Sequence, residues 1–154
     1  MSTFTNLLFH IVCCTKYRKP TIHTEWQDDL YGYIGGIVRD QKGTLLKIGG
    51  VEDHVHLLAK LSPTIAISHV LRKIKSNSSK WINQRSDVPR KFEWQSGYAT
   101  FSVSKSQVPA VSEYIANQAE HHRKKTFEEE FLTILKKHNI EFDMQYVFEQ
   151  EIIA

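Results

Sequence analysis

The stretch 45–61, LLKIGGVEDHVHLLAKL, decides how the rest of the chain is read. Residues 45–51 and 54–61 are two apolar runs of strand length. Only Glu52-Asp53 separates them, which is hairpin spacing although neither residue is glycine. Residues two apart on a strand share a face, so His54 and His56 project side by side while Val55 points into the opposite layer. Two imidazoles so placed suit one divalent metal. With eight histidines in the chain, a pair at this spacing also arises by chance, so the motif alone does not establish a site.

Working outward, residues 4–15 are rich in Phe, Leu, Ile, Val and Cys and read as a buried strand. Between 24 and 39, Trp26, Leu30, Tyr33, Ile34 and Ile37 recur at helical spacing, with Thr24 as the expected N-cap. Gly43 marks the turn into the hairpin and Pro63 ends it. A second helix is predicted over 65–84, with Ile67, Val70, Leu71, Ile74 and Trp81 on one face. Residues 87–97 read as a loop, 98–103 as a fourth strand, and 107–124 and 127–138 as two more helices. Strands one and three then pair centrally in an antiparallel sheet. The pattern βαββαβ implies a ferredoxin-like α+β sandwich with additional C-terminal helices. No repeat or linker interrupts the 154 residues, so a single domain over 1–154 is expected.

Composition excludes several classes. Hydrophobic residues make up 41% and charged residues 24%, as in ordinary soluble domains. No apolar run approaches the roughly 20 residues that span a bilayer, and the N-terminus has no signal-peptide pattern, so a cytoplasmic protein without a membrane partner is expected. The two cysteines, Cys13 and Cys14, are adjacent and read as reduced thiols within a strand. The net charge of +3 permits nucleic acid without proving it. Its distribution says more, with basic clusters at Lys16, Arg18 and Lys19, at Arg72, Lys73, Lys75 and Lys80, and at Arg123, Lys124 and Lys125. Each alone is a solvated face; three together point towards phosphate. Acidic residues gather after Thr126 and in the tail.

Tyr114 and Gln118 lie four apart on the third predicted helix and share a face. Val108, Val111, Ile115, Ala119 and His122 form the neighbouring stripe, expected to be buried. An interfacial tyrosine and a solvated glutamine would show the same pattern. His121 and His122 are read as cations at a helix C-terminus, with a spare ligand or proton relay as the other reading. His10 is expected in the core or at an edge, and His23, His69 and His138 at the surface. Trp94 and Tyr98 suit either core packing or stacking on an unpaired base. Neither Gly35-Gly36 nor Gly49-Gly50 matches a nucleotide-binding fingerprint, and no Gly-x-Ser-x-Gly occurs.

Together, Asp53-His54-Val55-His56 and Tyr114-Ile115-Ala116-Asn117-Gln118 resemble the single-tyrosine HUH transposases of the smallest bacterial insertion sequences. Cys14-Thr15-Lys16-Tyr17-Arg18, Phe92-Glu93-Trp94-Gln95 before Gly97-Tyr98, and Glu120-His121-His122-Arg123 agree, and the likeness runs from Leu8 to Phe148. The resemblance implies that Tyr114 is the nucleophile, that His54, His56 and Gln118 hold the metal, and that cleavage of single-stranded DNA leaves a 5′-phosphotyrosine. It further implies binding of DNA hairpins at the element ends. A homodimer is implied too, in which the helix bearing Tyr114 and Gln118 serves the partner's histidines. Two imidazoles and a neutral amide add no negative charge to a site that must receive phosphate, and Mg²⁺ or Mn²⁺ is the expected ion. Lys16, Arg18, Arg72 and Lys75 are the candidate DNA contacts. The alternatives are a non-cutting hairpin-binding protein derived from such a transposase, and a metal-dependent phosphoesterase acting through water.

Overall fold

The computed structural model describes residues 1–148, so Glu149 and Glu151 of the acidic tail lie outside the described residues. Four strands, β1 (Leu7–Cys14), β2 (Thr44–Val51), β3 (His54–Leu61) and β4 (Ala99–Ser102), form one antiparallel sheet in the order β2-β3-β1-β4. The first and third strands are therefore central, as the pattern predicts. The hairpin register sets Gly49 opposite His56 and Val51 opposite His54, while on the other side Val12 opposes His56 and Cys14 opposes His54. Opposed residues share a face, so the two histidines look out over Gly49, Val51, Val12 and Cys14.

The other face is the larger core. Ile11, Cys13, Val55, Leu57 and Ala59 meet Trp26, Leu30 and Ile34 of α1 (Thr24–Asp40) and Val70, Leu71 and Ile74 of α2 (Ile67–Asn83). α1 begins at the predicted residue, but its N-cap is His23 and no side chain caps it. The free thiol of Cys13 sits in this core, where burial pushes its pKa up to about 11.

Three helices close the histidine face: α3 (Val108–Ala116), α4 (Gln118–His121) and α5 (Phe127–Lys137). The single helix predicted over 107–124 is broken, because Asn117 leaves helical conformation at φ −99°, ψ 22°. The bend buries Gln118, which is 1% exposed, and turns Ala119 outward, correcting the predicted stripe. α3 can lie this close because position 49 has no side chain: a Cβ there would stand 2.4 Å from the Ile115 carbonyl oxygen. α5 starts where Thr126 Oγ1 accepts the Glu129 N–H, and its first turn is acidic and its last basic, as the helix dipole favours. Phe127 and Leu135 of α5 pack with Val12 and Phe101 in a second, smaller apolar cluster. Among the described residues no helix is long and apolar enough to cross a membrane.

Candidate functional site

β3 delivers His54 and His56, and both rings are fully buried. His54 Nδ1 donates to Asp53 Oδ1 at 2.7 Å, which leaves Nε2 of the neutral ring without a proton. That bare nitrogen faces Gln118 Oε1 at 3.1 Å. His122, one turn beyond Gln118, repeats the arrangement. Its Nδ1 donates to the Lys125 carbonyl at 3.0 Å, and its Nε2 looks at Gln118 Oε1 at 3.1 Å and Glu130 Oε2 at 2.8 Å. Two ring nitrogens thus turn lone pairs towards oxygens. Protonation would relieve the conflict, but burial, ahead of the opposing Glu130 charge, lowers the His122 pKa. A shared cation relieves it at every atom.

Glu130 makes the point again. Its carboxylate, 2% exposed, is surrounded by His56 Nε2 at 2.7 Å, His121 Nε2 at 3.1 Å and His122 Nε2 at 2.8 Å. None of these approaches is aligned as a hydrogen bond, so both oxygens, with His56 Nε2, His121 Nε2 and Gln118 Nε2, are buried without a hydrogen-bond partner. Turning the Gln118 amide over would hand His54 and His122 a donor. It would still leave the carboxylate calling for positive charge. Burial would raise the Glu130 pKa, but the His56 contact and the neighbouring rings outweigh it and hold the pKa at about 2. His54, His122 and Glu130 offer ligand atoms within 4.8 Å of one another, and imidazole with carboxylate suits a divalent ion. The residues present therefore fit a metal. The neutral ligand set expected from the sequence did not include Glu130, whose buried carboxylate stands among these rings.

Behind His56, its Nδ1 and His10 Nε2 share a proton across 2.7 Å. Burial first, then His56, lowers the His10 pKa to about 3; burial first also lowers that of His56, to about 4. Tyr114 stands over this group, with ring centroids 5.8 Å from His56, 6.1 Å from His10 and 5.2 Å from His121. Burial, then the Glu130 charge, raises its pKa well above the usual tyrosine value.

All four residues singled out at the centre meet within one chain. The sequence reading missed Glu130; His10 is buried on β1, as expected of it, and His121 and His122 stand at the C-terminal end of α4, as expected, where both also approach Glu130. For His122 beside Gln118, the Tyr114, Gln118, His122 spacing of four was the available signal. Nothing local marks Glu130, one of three glutamates in the first turn of α5. Of the basic candidates, Arg18 lies apart from the other three. Arg18 pairs with Glu128 and lies over Phe127 and Phe148, and Lys16 is 4.0 Å from Glu93. Arg72 and Lys75 line a groove between α2 and the loop 91–98, together with Trp94 and Tyr98. There Lys75 donates to the Gln95 and Gly97 carbonyls and lies over the Tyr98 ring, while Trp94 Nε1 donates to Ser78 Oγ.

Comparison with known proteins gives a consistent set. The family described as "Transposase IS200 like" matches residues 3–118. The transposase for insertion sequence element IS200 of Salmonella typhimurium is 25% identical over 120 residues, covering 75% of this chain and 78% of that protein. The ISDra2 transposase TnpA of Deinococcus radiodurans is 25% identical over 119 residues, covering 73% and 84%. Among solved structures, a REP-associated tyrosine transposase bound to a REP hairpin superposes with TM-score 0.61 over the whole of both chains at 15% identity. A Deinococcus radiodurans crystal structure reaches 0.58 at 22% identity, covering 77% of this chain and 95% of that one. At those identities the structural likeness concerns the fold.

Proposed function

The chain belongs to the IS200-like transposase family, and from that premise we propose that it cleaves and rejoins single-stranded DNA with Tyr114 as nucleophile. The observation that carries this reading is the convergence of buried, unsatisfied nitrogen and oxygen atoms from His56, Gln118, His121 and Glu130 beneath the Tyr114 ring. A solvated tyrosine in a binding module needs no such cluster.

His54, His56 and Gln118 would hold the metal, joined by His122 and Glu130; imidazole ligands favour Mn²⁺ over Mg²⁺. When bound, the ion supplies Lewis-acid neutralisation of the phosphate oxygens. Asp53 orients His54, and His10 orients His56, through the far nitrogen of each ring. Tyr114 Oη attacks phosphorus and the bond to the 3′ oxygen breaks, leaving a 5′-phosphotyrosine and a free 3′-hydroxyl. The phenol is held protonated at rest, so its proton must leave as the new bond forms. His121 shares its cavity and is the group at hand to take it, while the departing 3′ oxygen takes a proton from water. A later attack by another 3′-hydroxyl reverses the step without ATP.

Gln118 reaches His54 of its own chain, which supports a site completed in cis; the exchange between subunits that the resemblance implied is the other arrangement. The groove bearing Arg72 and Lys75, with Trp94 and Tyr98, is the better DNA track. A hairpin, the form bound by the REP-associated structural neighbour, is the form of DNA proposed. Arg18 is engaged by Glu128, while Lys16 borders the groove through Glu93.

The test is a cleavage assay on labelled single strands flanking the gene, run with Mn²⁺, with EDTA and with Tyr114→Phe. A denaturant-resistant adduct requiring metal and Tyr114 is expected. Binding without an adduct would favour the non-cutting hairpin binder, and cleavage surviving Tyr114→Phe would favour a water-using phosphoesterase. Mixing His56→Ala with Tyr114→Phe protein should restore nothing; recovery would overturn action in cis.

A further inference from the structure

A cavity of about 550 Å³ opens beside Tyr114 between β4, α3 and α5, reaching His10 and Glu130 at its inner end. This volume lies within the roughly 300–1,000 Å³ of small-ligand pockets. Its walls are largely apolar, from Val103, Ala110, Val111 and Ile134. Lys125 and Lys137 supply positive charge, with Lys125 Nζ donating to Thr133 Oγ1 at 3.0 Å. His138 also lines it, its ring stacked on Phe101 at 4.5 Å and 25°. Apolar walls, a stacked aromatic pair and nearby cations are what an unstacked nucleobase and its phosphate require. The α5 walls lie beyond residues 3–118, the segment the family matches.

We propose that this cavity receives the base of the nucleotide immediately 3′ of the scissile phosphate, the one that stays bonded to Tyr114 after cleavage. The assignment rests on the tyrosine-nucleophile reading and follows from its stereochemistry. In-line attack places the departing 3′ oxygen, and the nucleoside that carries it, on the side of phosphorus opposite Tyr114 Oη. The cavity has the Tyr114 ring as one wall, so it lies on the attacking side. Only the nucleoside joined through the 5′ oxygen can swing there. Holding that base would keep the covalent intermediate oriented until a new 3′-hydroxyl arrives.

The scissile position would first be mapped on an intact flanking strand with wild-type protein and Mn²⁺. Adduct formation is then measured on strands made abasic at the 3′-side nucleotide or at the 5′-side one. The first should lose about ten- to a hundredfold, the size of one lost stacking site, and the second much less. Ile134→Trp, which fills the cavity, should weaken the adduct on the intact strand and erase the penalty of the 3′-side abasic site. A binding readout avoids dependence on cleavage: Tyr114→Phe protein should change the fluorescence of 2-aminopurine placed 3′ of the scissile phosphate, and not of 2-aminopurine placed 5′ of it. Equal adduct from both abasic strands, or equal fluorescence at both positions, overturns the cavity assignment while leaving the tyrosine reading intact. No adduct on any intact strand overturns the tyrosine reading and this assignment with it.

Discussion

Val55 and Leu57 project from β3 into a layer closed by α1 and α2, where they join a cluster of apolar side chains. His54 and His56, one residue away on the same strand, project into a layer closed by α3, α4 and α5. The two histidines are just as buried, yet His56 Nε2, Gln118 Nε2, His121 Nε2 and both Glu130 oxygens beside them lack aligned partners. The contrast teaches where the fold stores stability and where it forgoes it. Burying apolar surface in the first layer stabilises at about 25 cal/mol per Å². The second layer collects five ionisable rings and a carboxylate, His10, His54, His56, His121, His122 and Glu130, a grouping that burial opposes unless a cation joins it. Its closeness to Tyr114 is the reason to read the cost as functional.

Substitutions that treat the two faces as equivalent would break this contrast. The largest effect is expected for His56→Ala: loss of a ligand should cut adduct formation on the order of a thousandfold, because several kcal/mol of charge neutralisation goes with it. Circular dichroism should show the fold retained, and near-normal activity would remove His56 from the metal site. Next comes Leu57→Ala on the dry face, expected to cost about 2–5 kcal/mol in urea unfolding, with adduct formation per folded molecule unchanged. A cost well under about 1 kcal/mol would deny close packing there.

Gly49→Ala sharpens the comparison at the seam, since its methyl group meets the backbone of Ile115 rather than a movable side chain. About 1–3 kcal/mol of destabilisation is expected, together with about a ten- to a hundredfold loss of Mn²⁺ affinity, through displaced Gln118, read by titration calorimetry. Unchanged metal affinity would show that α3 does not set the ligand geometry.

The smallest effect concerns pH in metal-free protein. His10 and His56 fall from an ordinary 6.5 to about 3 and about 4 on folding, so the unfolded chain binds more protons between those values. Stability should fall as pH drops below 6.5. Glu130, lowered from 4.5 to about 2, adds to the loss only below 4.5. His10→Phe should flatten the upper part of the profile by at most about 1.4 kcal/mol per pH unit, whereas Leu57→Ala should shift the whole profile in parallel. A His10→Phe profile parallel to wild type would mean that His10 titrates alike folded and unfolded.

Local pattern alone carried β3 to its residue boundaries, because strand alternation and a two-residue turn are properties of neighbours in the chain. It likewise carried α1 and α2, whose apolar stripes repeat at helical spacing, and the β2-β3-β1-β4 order that follows from βαββαβ. The side-by-side placement of His54 and His56 was legible for the same reason, and Tyr114 and Gln118 became candidates through their spacing and their likeness to a known family. Tertiary structure alone decided the rest. Glu130 meets the histidines only because α5 folds back over β3, 74 positions of sequence away from His56. The bend at Asn117, which buries Gln118 and exposes Ala119, arises where α3 rests on Gly49, a contact between segments that share no local signal. Periodicity reports which face of an element is apolar. Only packing brings distant elements together and settles which polar groups are buried against one another.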